Sequence, residues 1–195
     1  MSLFLGFIHH LMYDKILFLE NLNERLINFA KNEGYDDVVL ELSNTPKVEK
    51  GNLEDIIDND NIHGWLDERV VRTENRFAKV VNLLIEKSQD NKEKVLKTVS
   101  DVADSFDEVS NPAEAFGKLN SLFLDGMPCD GAISIVNEDE NRLVFQVVND
   151  MHYPIWCFYG NEKFYWEIRE AFTKRFLEKS SMSFNKLRDG LYEIC

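Results

Sequence analysis

The apolar positions Leu5, Ile8, Met12, Ile16, Leu19, Leu22, Leu26 and Phe29 recur with the step of a helix, and the pattern stops at Gly34. Phe4, Phe7, Leu11 and Phe18 add a second stripe that widens the same face. So wide a dry surface belongs in the centre of a bundle or in a dimer interface. Asp37 to Leu42 reads equally as a short strand or a helical turn, ended by Asn44-Thr45-Pro46. From Ile62 to Glu86 the positions Leu66, Val70, Thr73, Phe77, Val80, Val81 and Leu84 predict a long helix, broken at Ser88 to Asn91. Lys92 to Val109 continues with Val95, Val99, Val102, Phe106 and Val109.

Asn111-Pro112 is a helix start, a capping residue followed by proline at the first helical position, and Asp125-Gly126 closes that segment. Beyond it the period changes from helical to alternating. Gly131 to Val136 and Arg142 to Val148 predict a hairpin with a five-residue polar loop, and Tyr153 to Tyr159 a further strand. Asn161 caps a last long helix, Glu162 to Lys179, with Tyr165, Ile168, Phe172 and Phe176 on its face. Gly190 to Ile194 reads as an edge strand. The fold class is therefore α+β: a mostly helical N-terminal two-thirds, then a small antiparallel sheet and a long helix at the C-terminus. No linker separates domains, so residues 1–195 are expected to form one unit, with a helical part over 1–125 and a hairpin, helix and edge strand over 126–195.

Composition sharpens this in two ways. A net charge of −13 repels nucleic-acid phosphates and anionic lipid headgroups, so neither nucleic acid nor membrane is expected as a partner. The apolar stretch from Leu3 to Leu19 is interrupted by His9, His10, Asp14 and Lys15 and is too short to span a bilayer. Cys129, Cys157 and Cys195 cannot all pair, and none has metal-ligand spacing, which suits a reducing, cytoplasmic setting.

Candidate chemistry is sparse. Arg69, Arg72, Arg76 and Lys79 form a basic face; a helical hairpin about Ser88 to Asn91 would set Lys79, Arg76 and Arg72 opposite Asp101, Asp104 and Glu108 as ion pairs. His9 with Tyr13 and His10 with Asp14 have the spacing of metal ligands on a helix, but matching ligands elsewhere are few, so no metal or cofactor is expected. Asp58 to Asn61 opens like a calcium loop and then departs from it at Ile62, His63 and Arg69, leaving a capping role. His152 and Cys157 do not share a face along an extended segment, and Cys157 between Trp156 and Phe158 reads as a small buried hydrophobe.

The run from Met151 to Phe176 holds ten of the chain's 27 Phe, Trp, Tyr and His residues. Tyr and Trp offer both apolar walls and hydrogen-bonding tips, so this run is where a pocket is expected, with Trp156, Tyr159, Tyr165 and Arg169 as its wall. From Gly131 onward the order hairpin, loop, long helix and short Gly-containing strand ending in cysteine resembles the small-molecule-binding domains of the vinyl-reductase and aminothiazoline-carboxylate hydrolase type. The cysteines of those families are absent where Phe164, Tyr165 and Trp166 stand, and no residue is carried over. The leading expectation is a non-enzymatic protein that binds a small, partly apolar ligand between the C-terminal sheet and the last helix. The alternatives are a homodimer or partner-binding protein using the face of helix one, and a metal-dependent enzyme.

Overall fold

The computed structural model describes residues 5–126 and 130–195. The first helix, α1, runs Phe7–Asn32. Its start is tied by the Gly6 N–H, which donates to His9 Nδ1 at 2.9 Å. Its end is a Schellman turn: Gly34 takes φ +75°, and the Gly34 and Tyr35 N–H groups donate to Lys31 O and Ala30 O. The ambiguous segment is helical, as α2 (Asp36–Ser43), and a single turn, α3 (Leu53–Ile56), precedes α4 (Ile62–Lys87). Asn61 Oδ1 accepts the Gly64 N–H at 3.3 Å and Asp58 Oδ1 the Asp60 N–H at 3.0 Å, so the calcium-like stretch caps α4.

α5 (Asn91–Ser100) runs into a 3-10 turn at Asp101–Ser105, and α6 (Pro112–Leu122) starts where Asn111 Oδ1 accepts the Glu114 N–H at 2.9 Å. Asn91, fully buried, donates to Leu84 O at 2.8 Å and so closes the C-terminal end of α4. The expected α4–α5 ion pairs do not form. α5 and the 3-10 turn lie on the last helix instead, where Asp104 takes a two-pronged contact from Arg175 at 2.8 and 3.0 Å. Each cation of the α4 face has nearer acids: Lys79 has Glu41, Arg76 has Glu20, and Arg69 and Arg72 share Glu49 and Glu68.

The sheet has the order β1-β2-β4-β3, antiparallel throughout, from β1 (Ile133–Asp139), β2 (Arg142–Val147), β3 (Phe184–Arg188) and β4 (Leu191–Ile194). The expected five-residue hairpin loop is a two-residue turn, because Asn137, Glu138 and Asp139 continue β1 past a bulge at Val136. β4 lies inside the sheet, between β2 and β3, and β3 is the outer strand that the sequence pattern did not announce. Tyr153–Phe158 forms a helix, α7, and not a strand. Asp150 Oδ1 accepts the N–H groups of His152 and Tyr153, Pro154 sits in the first turn, and Gly160 at φ +72° ends the helix with the Schellman bonds seen after α1. α8 (Phe164–Glu178) lacks the expected side-chain cap, since Asn161 donates to Asn82 Oδ1 at 2.7 Å. The chain therefore closes on two strands after its last helix.

α1 packs along α4, and the buried residues from Met12 to Ile194 form one contiguous cluster. The sheet's inner face, Phe145, Phe184 and Tyr192, stacks at ring separations of 5.4 to 6.3 Å, and Phe116 of α6 and Trp166 of α8 cover it. Among the described residues no helix is long and apolar enough to cross a membrane.

Candidate functional site

Where α4, α7, α8 and the segment after α6 meet, four charged side chains are buried together. His152, 2% exposed, places Nδ1 2.5 Å from Glu74 Oε1 and Nε2 3.3 Å from Asp125 Oδ1. Arg169 donates to the same Asp125 oxygen, and the Trp156 indole N–H donates to Glu74 Oε1 at 3.2 Å. The imidazole lies flat against Tyr165, with ring centroids 3.7 Å apart. Burial alone would drive His152 toward its neutral form; the carboxylates of Glu74 and Asp125 outweigh it and raise its pKa to about 9. Burial likewise opposes the Asp125 charge, and Arg169 and His152 overcome it, holding that carboxyl well below the usual carboxylate range. Burial pushes the Tyr165 hydroxyl well above its ordinary value. A doubly engaged, protonated imidazole is no general base, so this network is an electrostatic clasp.

The clasp positions a surface feature. His152 follows Asp150, whose Oδ2 accepts the Trp166 indole N–H at 2.7 Å. Trp166 stacks on Tyr192 at 5.9 Å and 20°, so α8 is pinned to the sheet through an aromatic pair. Outside that pair lies an open cleft of about 480 Å³ between α8, the end of β2 and the β3–β4 turn. Its charged lining is five acids, Asp150, Glu162, Glu167, Glu170 and Asp189, against Lys163 and Lys186. Lys186 is paired with Asp189 and Glu170 with Lys174, both at 2.7 Å, and Asp150, Glu162 and Glu167 against Lys163 leave the rim predominantly acidic.

Of the four wall residues expected from sequence, Trp156, Tyr165 and Arg169 converge on the clasp at 0%, 4% and 6% exposure. Arg169 does meet an acid, but it is the chain's own Asp125. Tyr159 is half-buried, packed edge-on against Phe158. The cleft wall is built by Trp166, Tyr192 and Tyr153; Trp166 follows Tyr165 on α8, and Tyr153 shares α7 with Trp156. Cys157 is exposed on α7, a correction to its reading as a buried hydrophobe: Trp156 takes the inward position of that turn. His152 is interior, so the thiol and imidazole stand apart; Cys129 lies outside the described residues.

A second buried network went unread in the sequence. Glu20 pairs with Arg76 at 3.3 Å and accepts from Thr73 Oγ1 at 2.9 Å and Asn23 Nδ2 at 3.1 Å. Arg76 also donates to the carbonyls of Leu42 and Thr45. The missed residues share one signal: Glu20 follows Ile16 by four positions and Glu74 follows Val70 by four, placing a charge inside an apolar row.

The histidines of α1 meet groups of the protein itself. His9 Nδ1 accepts the Gly6 N–H, so Nε2 carries the proton and donates to His63 Nε2 at 3.2 Å; both ring nitrogens are committed. Burial, with His63 and His10 nearby, lowers the His9 pKa and keeps it neutral. His10 lies 3.5 Å from Glu54. Among the described residues no group of three or more His, Cys, Asp or Glu side chains is placed to hold a metal ion. The face of α1 is occupied internally, with Met12, Ile16, Leu19, Leu22 and Leu26 buried, although Phe7 stays 82% exposed. No protein-family model, curated protein or solved structure matches the chain, so the resemblance noted for its C-terminal third adds nothing to the site, whose chemistry rests on its own residues.

Proposed function

We propose that the protein binds a small, partly apolar cation in the cleft between α8 and the sheet. The observation that carries this reading is the pairing of an aromatic wall, Trp166 and Tyr192, with a rim of five carboxylates against two ammonium groups around about 480 Å³. A cavity of that volume suits a small organic molecule. Acid side chains beside aromatic rings favour an amine head on an apolar body and disfavour a carboxylate or phosphate. The role is binding without chemistry: the groups around the cleft hold and orient, and the nearby imidazole is fully engaged. The exposed thiols Cys157 and Cys195 fit a reducing, cytoplasmic setting.

The test is a matched pair of probes, benzylamine and sodium benzoate, titrated against the full chain while tryptophan fluorescence and melting temperature are followed. Benzylamine is expected to perturb the fluorescence and raise the melting temperature, and Glu167→Gln with Glu170→Gln to weaken the effect. Equal binding of benzoate, or no response to either probe, overturns the reading.

A further inference from the structure

Near Asp125, and lining a cavity separate from the cleft, α1 carries a lysine whose side chain is buried. Lys15 is 4% exposed and stands in the apolar row of α1, after Leu11 and before Leu19. Among the described residues its amine has no hydrogen-bond or ion-pair partner, and while the side chain as a whole is buried the amine itself is not sealed off. Lys15 lines a cavity of about 450 Å³ between α1, α6 and β1, whose walls include Ile8, Leu11, Phe116 and Ile133, with Asp125 beside it. The neighbouring buried charges already cancel, Arg169 and His152 against Asp125 and Glu74. A protonated Lys15 would leave an uncompensated positive charge there. Burial accordingly lowers the Lys15 pKa, with Arg169 adding to the effect and Asp125 opposing it.

We propose that Lys15 is a carbonyl-reactive amine that holds a small, mostly apolar aldehyde or ketone as an imine in this cavity. A desolvated neutral amine has a free lone pair, and a carbonyl carbon is the electrophile that uses it without bringing a second charge into the site. The Nζ lone pair forms the C–N bond while the C=O π pair moves to oxygen. Both amine protons then leave with that oxygen as one water when the C–O bond breaks, giving C=N. The step is redox-neutral and needs no further reactant.

The experiment is brief exposure of the full chain to butyraldehyde with sodium cyanoborohydride, followed by peptide mapping of the alkylated lysines. Lys15 is expected to be labelled at least about tenfold faster than Lys97, which is 74% exposed in its side chain, the gain in neutral amine for each unit of lost proton affinity. Lys15→Met should abolish the fast site, and the wild-type map decides the matter even if that variant does not fold. Labelling of Lys15 no faster than Lys97 overturns the proposal. So does protection of Lys15 by sodium butyrate alone, which would make it an ammonium paired with an anion. The cleft reading is untouched by either result, because benzylamine carries no carbonyl.

Discussion

Thr73 and Glu74 are adjacent on α4 and serve two buried networks of different kinds. Thr73 turns toward α1 and joins Glu20, Asn23 and Arg76, a set held on two packed helices. Glu74 turns toward the C-terminal third and joins His152, Asp125, Trp156 and Arg169, drawn from four separate segments. In the first, Glu20 keeps two neutral donors besides its cation, and Arg76 is anchored by backbone carbonyls. In the second, charge answers charge with few neutral donors; each leaves buried polar atoms without a hydrogen-bond partner among the described residues, Glu20 Oε1, Asn23 Oδ1 and Arg76 Nε and Nη2 in the first and Asp125 Oδ2 in the second. Helix packing alone places the first network, whereas the second exists only if the two parts of the chain are docked. The clasp is therefore the more fragile of the two, and it sets the geometry of the cleft.

The largest effect expected from this contrast is at Arg169. Arg169→Leu strands Asp125 beside a single cation and should cost about 3–5 kcal/mol, read as the urea midpoint, with a change in tryptophan fluorescence as the Trp166–Tyr192 pair loosens. A loss below about 1 kcal/mol would break the view that the clasp docks the two parts.

Next is the pH dependence of His152. Its folded pKa is raised to about 9 from an unfolded value near 6.5, so its stabilisation is complete below about pH 6.5 and is lost as pH rises through 9. The urea midpoint of His152→Gln should therefore lie furthest below wild type near pH 6 and approach it by about pH 9.5. Groups common to both proteins, among them Lys15, His9 and Tyr165, drop out of that difference. A gap that stays constant with pH would mean that the imidazole is held neutral.

Thr73→Val should cost about 1–2 kcal/mol by leaving Glu20 one donor short. Combined with Glu74→Gln, its effect should add to within about 0.5 kcal/mol, since the two side chains share no partner. A larger coupling would merge the two networks into one. At the small end, Lys79→Ala removes a partly exposed pair with Glu41 at 2.9 Å and should change stability by less than about 1 kcal/mol.

Much of the helical part was legible because its signals are local. The caps at Asn111-Pro112 and Gly34, the break at Ser88 to Asn91 and the stripes of α1 and α4 all act within a few positions. The Tyr153 to Tyr159 stretch misled because aromatic and β-branched content favours a strand, while the deciding contacts were the Asp150 cap and the Gly160 stop. Trp156, Tyr165 and Arg169 come together at one locus, where they meet Glu74, His152 and Asp125. Which rings face inward could not be read, because neighbouring rings on an aromatic-rich helix compete for the interior and only their partners decide: Tyr165 goes in to His152 and Trp166 out to Asp150.

The chain's own order of residues was enough for the extents of α1 and α4, the start of α6, the α+β class and the net acidic charge, since each depends on side chains a turn or less apart or on composition. The contact of His152 with Glu74 spans 78 positions, that of Arg169 with Asp125 spans 44, and the insertion of β4 between β2 and β3 joins strands from opposite ends of the last third. Such pairings carry no periodic trace. They are chosen when the whole interior must neutralise its buried charges at once, and that choice belongs to the folded molecule.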